Sequence, residues 1–325
     1  MDWAERIDTM TSGYRDACIL IAALKSGIFE ALGDAKKSSA EVAAACGLDP
    51  RATDVTMCAL VATEVLLKNG EKFSIDPGAR PFLLKDSPET MASIIGHNRS
   101  LLKSWVQLEN VLRTGRPAER EERTTEEMED FICGMENVSR RTSIEVAEKI
   151  DLSGSRRLLD LGGGPGTAAL TFAKANPKIE AVVFDLPGPV GIAEKQIARL
   201  GLEDCVTTYA GDFLTDELPG GFDVVYIANI IHMLDTGQTR ALLAKAAGAL
   251  EPGGLILVKD FFLDDTRAAP AWTAQFSVNM LVGTEGGKSY TLAEMVGLLS
   301  DTGFAGIETT SVARHSQVIS ARRES

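Results

Sequence analysis

The sequence predicts an α/β protein in which a parallel sheet with helices on both faces follows a smaller, mostly helical domain. Three observations carry that reading. An apolar run, Leu158-Leu159-Asp160-Leu161, stops abruptly in Gly162-Gly163-Gly164-Pro165-Gly166-Thr167 and leads into the helix-like stretch 168–175, which spells strand, tight turn and helix start. Beyond it the pattern alternates: strand 179–185, helix 190–200, strands 206–210 and 222–228, helix 238–250, strand 255–259. Ahead of it, residues 1–95 read as helices closed by a small hairpin.

Composition narrows the functional classes. With 325 residues, 45% of them hydrophobic and 24% charged, the chain is long enough for two domains around a large core. The N-terminus Met1-Asp2-Trp3-Ala4-Glu5-Arg6 lacks the basic start and apolar core of a secretory signal. The early apolar run 17–24 is too short to span a bilayer, so a cytoplasmic protein with no membrane partner is expected. Five cysteines, at 18, 46, 58, 133 and 205, show no C-x-x-C pairing and read as reduced thiols, with no disulfide framework and no metal site. A formal net charge of −13 opposes contact with nucleic acid, which needs clustered Lys and Arg.

In the first domain Ser38 or Ser39 caps a helix 40–46 that Gly47 closes, and Asp49-Pro50 supplies a second N-cap with proline at the first helical position. Leu66-Leu67-Lys68, Asn69-Gly70 and Phe73-Ser74-Ile75 read as strand, type I′ turn and strand, completing a winged-helix outline. Residues 1–95 hold ten Lys and Arg against fourteen Asp and Glu, a net of −4, which leaves no electrostatic footprint for a duplex. Apolar residues at three- and four-residue steps predict one helix over 91–112, carrying His97, Asn98 and Trp105. Residues 116–130, with seven acids against three arginines, read as a solvated linker, and 131–150 as a second connecting helix with Met135 near its start.

The glycine turn separates two kinds of nucleotide ligand. A dinucleotide fingerprint G-x-G-x-x-G/A begun at Gly162 and Gly164 fails at Thr167. The next strand ends in Asp185, where an acidic side chain can hold both hydroxyls of a ribose, so a nucleoside is implied without a pyrophosphate. Ligands in parallel sheets sit beyond the carboxyl ends of the strands, and Gly162, Gly164, Asp185, Asp212 and Phe213 all fall there. Asp160 lies inside the first strand, where a carboxylate is costly unless bonded; it orients the glycine turn or meets a cationic ligand group.

The stretch 158–166, with Asp185 and then Gly211-Asp212-Phe213, resembles the S-adenosylmethionine-dependent methyltransferases of the Rossmann-like class I fold. Within them it is similar to the two-domain small-molecule O-methyltransferases that include the plant caffeate and bacterial antibiotic enzymes. The resemblance implies a winged-helix dimerisation domain at 1–95 and a methyltransferase domain at 96–325, of which 96–150 forms a helical connector and substrate wall. It implies a homodimer, with the apolar helical stretch 17–32 as the surface buried against a second subunit. The cofactor set it implies is Asp160, Gly162, Gly164, Asp185, Leu186, Gly211, Asp212, Phe213 and Asn229, with Asp212 accepting from the adenine amino group and Phe213 packing on the ring.

The family's general base aligns with His232 in Ala228-Asn229-Ile230-Ile231-His232-Met233-Leu234, after the fourth strand. Imidazole can take a hydroxyl proton at neutral pH, and a carboxylate on its other nitrogen would fix the tautomer. Asp260 aligns with the family's orienting acid. The sequence departs elsewhere: Met233 replaces an acid, Leu234 a tryptophan, Ala228 a lysine of many plant members, and Ser289 the second flanking acid, with Glu285 a nearby substitute. His97, Met135, Trp272, Phe276, Asn279 and Met280 occupy the family's substrate wall and lid, and their aromatic and thioether groups point to a flat, apolar acceptor. His315 falls in the terminal strand pattern. The expected activity is methylation of a hydroxyl on a small metabolite. Sulfur, nitrogen or carbon acceptors that ionise unaided, a cofactor-sensing regulator and a nicotinamide dehydrogenase are the alternatives.

Overall fold

The computed structural model describes residues 2–119, 121–313 and 315–324. It divides into two compact units, residues 1–103 with 122–137 and residues 104–121 with 138–325.

The first unit opens with helices Trp3–Ser12, Tyr14–Lys25, Ile28–Leu32, Ser39–Cys46 and Pro50–Ala62. Ser38 caps the fourth with a reciprocal bond from Glu41, Gly47 closes it in the left-handed region, and Asp49 caps the fifth. Strands β1 (Leu66–Asn69) and β2 (Lys72–Ile75) pair antiparallel, with Asn69 opposite Lys72. The loop is therefore Gly70-Glu71, one residue beyond the expected Asn69-Gly70, and only Gly70 has a positive φ, the type II′ pattern. The cause is tertiary: Phe73 exchanges backbone hydrogen bonds with Lys37, which fixes the register of β2.

Three further expectations change here. Ile21, Leu24, Ile28, Phe29 and Leu32, expected on a subunit interface, are buried in this unit's own core. Residues 125–130, expected as linker, begin the helix Thr125–Lys149. There Thr124 and Glu127 form a capping pair, and Glu126 and Asp130 bind Lys25. The helix expected over 91–112 is two, Ala92–Trp105 and Leu108–Thr114. Between them Gln107 turns its amide onto the backbone of Glu119.

The second unit is built on seven strands: β3 (Arg157–Leu161), β4 (Glu180–Asp185), β5 (Val206–Ala210), β6 (Phe222–Ala228), β7 (Leu250–Asp260), β8 (Phe304–Ser311) and β9 (Gln317–Arg323). Their order across the sheet is β5-β4-β3-β6-β7-β9-β8, with β3 to β7 parallel and β9 antiparallel to both β7 and β8. The chain runs outward from β3 to β5 and then returns to the other side of β3, so its direction reverses between β3 and β6. In open sheets of this kind a crevice forms at that reversal, beyond the carboxyl ends. Leu159, Leu161, Val225, Ile227, Ile256 and Val258 fill the core of one face, and Leu158, Val183, Val224, Tyr226 and Leu257 that of the other. His315 lies outside the strands, in the turn between β8 and β9, with φ at 62°. No helix of the described residues is long and apolar enough to cross a membrane.

Candidate active site

The glycine turn sits at the mouth of that crevice. Gly162 has φ at 71°, and a Cβ on it would fall 2.5 Å from the Ile230 side chain, so the position demands glycine twice over. Two carboxylates fasten the turn. Asp160 Oδ2 accepts from Ala169 N–H at 3.0 Å. Asp185 accepts from Gly164 N–H and, through its other oxygen, from Leu186 N–H, each at 2.7 Å. Gly211 N–H donates to the Asp185 carbonyl, which brings the end of β5 alongside. Asp212 Oδ1 accepts from Leu214 N–H and shapes that loop, and Phe213 packs on the core beside Gly162.

All nine expected nucleoside-site residues thus lie at the carboxyl ends of β3 to β6. Their donor set suits an adenosine joined to an amino acid: an acid for the ribose, an aromatic ring for the base, and an acid beside a glycine turn for an ammonium group. Asp160, Gly163, Ser139, Thr142, Asn229 and Lys259 line a cavity in this crevice. Burial, reinforced by the neighbouring Asp185 carboxylate, pushes Asp160 up to about 7, against the opposing effect of the Ala169 hydrogen bond. Burial also raises Asp185, although its two backbone hydrogen bonds act the other way.

At the ends of β6 and β7, His232 Nδ1 lies 2.7 Å from Asp260 Oδ1. Both side chains are buried, His232 at 7% exposure and Asp260 at 1%. Asp260 Oδ1 also accepts from Phe261 N–H at 2.8 Å, which locks the carboxylate. His232 rides on the short 3₁₀ turn Ile231–Met233, and the Phe276 ring stands edge-on to it at 4.9 Å. Phe261 and Trp272 extend this aromatic cluster, and the ring of His315 stacks on Trp272 at 5.2 Å. Ser289 is buried and donates to the Thr273 carbonyl, whereas Glu285 is exposed.

The helix Ala271–Gly283 carries Trp272, Phe276, Asn279 and Met280. Asn279 Oδ1 accepts from the Trp105 indole N–H at 2.8 Å. His97 and Met135 belong to the first unit, where His97 is buried and its ring is 5.3 Å from Phe131. The sequence reading gave Lys259 and Phe261 no role, placed His315 in a strand pattern and named Gly287 only within the stretch 272–290. For Gly287 a signal existed in Gly286-Gly287: a Cβ there would overlap the His232 carbonyl oxygen and the Thr284 hydroxyl.

Two outcomes are expected from this geometry. Gly287→Ala should displace the 3₁₀ turn that carries His232, lowering kcat by about 10–10²-fold while affinity for a nucleoside ligand of the crevice stays within about twofold; an unchanged kcat would show that the close approach positions nothing. The second concerns Asp160. An unfolded aspartate titrates near 4, so between about pH 4 and 7 the folded chain binds the extra proton and stability falls as pH rises, levelling above 7. Asp160→Asn removes this loss and keeps an acceptor for Ala169. In ligand-free protein the melting temperature of the variant relative to wild type should climb from pH 5 to pH 8, by an amount on the order of a few kcal/mol in stability; a pH-independent difference would contradict it.

A sequence model described as the O-methyltransferase domain matches residues 108–305. The 3-hydroxy-5-methyl-1-naphthoate 3-O-methyltransferase of Streptomyces sahachiroi is 31% identical over 90% of this chain and 87% of its own length. The tetracenomycin polyketide synthesis 8-O-methyltransferase of Streptomyces glaucescens is 31% identical over 94% of this chain and 92% of its own. Among solved structures, human N-acetylserotonin methyltransferase in complex with S-adenosylmethionine superposes with a TM-score of 0.91 at 26% identity, covering 100% of this chain and 99% of that one. With its Rossmann-like sheet and mostly helical N-terminal unit, this chain belongs to the O-methyltransferase family and is an enzyme dependent on S-adenosylmethionine.

Proposed function

We propose that the enzyme methylates a hydroxyl of a small aromatic metabolite with His232 as general base. One observation carries this reading: a buried histidine hydrogen-bonded to a buried carboxylate, edge-on to an aromatic cluster, at the carboxyl end of the sheet. Asp185 would hold the ribose hydroxyls of the cofactor, Asp212 and Phe213 the adenine, and Asp160 with the glycine turn the methionyl end; Leu186, Gly211 and Asn229 complete the site. When bound, the cofactor supplies an electrophilic methyl group on a positively charged sulfur.

The acceptor oxygen must shed its proton as it attacks. With Nδ1–H donated to Asp260, the His232 tautomer leaves Nε2 as the proton acceptor, and the carboxylate steadies the imidazolium that forms. Trp272, Phe276 and Met280 offer flat and polarisable surfaces on the helix Ala271–Gly283, as an aromatic acceptor requires. The naphthoate named for the Streptomyces sahachiroi relative is itself a hydroxylated aromatic, which supports this substrate class. His97 and Met135 remain candidates for the acceptor wall on the resemblance alone.

His232→Ala should lower the single-turnover rate by about 10²–10⁴-fold with cofactor affinity nearly intact, and Asp260→Asn should give a smaller loss through the wrong tautomer. Full-rate turnover by His232→Ala, followed with a phenolic acceptor, would sink the hydroxyl reading in favour of an acceptor that ionises unaided.

We also infer that the enzyme is a homodimer joined through a winged-helix module in the first unit. Trp3, Ile7, Met10 and Tyr14 are all exposed and recur at three- and four-residue steps along nearly continuous helix, an apolar stripe that a second copy would cover. Five cysteines without a C-x-x-C spacing support a reducing, cytoplasmic setting. Multi-angle light scattering at micromolar concentration should return twice the chain mass, and Ile7→Glu with Met10→Glu should return the single mass; a monomeric wild type would remove the assignment.

A further inference from the structure

Lys259 is a lysine inside a protein core. It is the penultimate residue of β7, only 1% exposed, and pairs in register with Ala228 at the end of β6. Strand alternation sets it on the sheet face of Leu257 and Tyr226, the face that also carries Asp160. A buried ammonium is costly to desolvate, and long charged side chains are seldom fully enclosed unless they serve a partner.

Its position is fixed from two directions. Lys259 Nζ donates to Asn229 Oδ1 at 2.8 Å, and Asn229 N–H donates back to the Lys259 carbonyl at 3.0 Å. Asn229 holds this loop with φ at 58°, a left-handed conformation that asparagine tolerates better than most residues. The Phe261 ring lies 5.2 Å from Nζ on another side. The ammonium is thereby held at the rim of β6 and β7 and lines the same cavity as Asp160, together with Ser139, Ser143, Tyr226 and the glycine turn among others.

This cavity has an acid from β3 on one side and a cation from β7 on the other. The amino-acid end of S-adenosylmethionine presents an ammonium and a carboxylate on a single carbon, so a site for it gains from both signs of charge. We propose that Lys259, steadied by Asn229, binds the α-carboxylate of the cofactor, opposite Asp160 and its ammonium group. The inference rests on this crevice holding the cofactor, and it concerns affinity and placement, with no proton moved by the lysine.

Calorimetric titration of the full-length enzyme with S-adenosylhomocysteine and with its decarboxylated analogue tests it. The wild type should bind the decarboxylated compound about tenfold or more weakly, as expected for loss of a hydrogen bond between charged groups. Lys259→Met should weaken S-adenosylhomocysteine to a similar degree and leave the decarboxylated analogue unchanged or tighter, with Asp160 and the fold intact by circular dichroism. Equal affinity of the wild type for both ligands would overturn the proposal, and that comparison needs no variant should Lys259→Met fail to fold. Equal weakening of both ligands in Lys259→Met would also overturn it, since the lysine would then only support the fold. Failure of the wild type to bind S-adenosylhomocysteine at all would strike the cofactor reading itself and this inference with it.

Discussion

The site depends on two carboxylates that receive backbone N–H groups. Asp160 takes the amide of Ala169 at the start of a helix, and Asp185 takes those of Gly164 and Leu186. These amides lie where a strand has ended and the following helix has barely begun, so they lack ladder or helical partners, and an unpaired buried amide would be costly. The acids therefore shape the crevice before any ligand enters. Gly162 then approaches Ile230 so closely that no side chain fits, and Ile230 leads directly into the turn that carries His232. The floor of the crevice and the histidine belong to one packed body.

Much of this was legible because it is written locally. The glycine turn, Asp185 at a strand end and His232 after the fourth strand each follow from a short stretch read against strand and helix periods. Helix caps at Ser38 and Asp49 were equally plain, since a cap is chosen within three residues. What escaped the sequence is set by partners distant along the chain. The hairpin loop moved by one residue because Phe73 pairs with Lys37. The acidic stretch after Thr124 became helix because its own capping pair went unread and because Lys25, a hundred residues earlier, meets Glu126 and Asp130.

Lys259 was illegible for a different reason. A lysine at a strand terminus reads as a solvated end, and only the residues brought against that end by the fold enclose it. His315 was misread in a similar way. Its place near a strand pattern concealed a turn with a positive φ, and the ring it presents to Trp272 becomes visible only once β8 and β9 pair. Ser289 and Leu234 stand where the resemblance implies an acid and a tryptophan, while His232 has one buried carboxylate and an edge-on aromatic ring.

The last two residues of β7 belong to two different chemistries. Lys259 and Asp260 are consecutive, and the period of a strand turns them to opposite faces of the sheet, one into the cavity beside the glycine turn and one to the histidine. Six pairings with β9 and six more with β6 hold the backbone between them in place. On the proposed assignment, substitutions on the face of Asp260 would alter the acceptor side of the enzyme and leave the face that meets the methyl donor as it was.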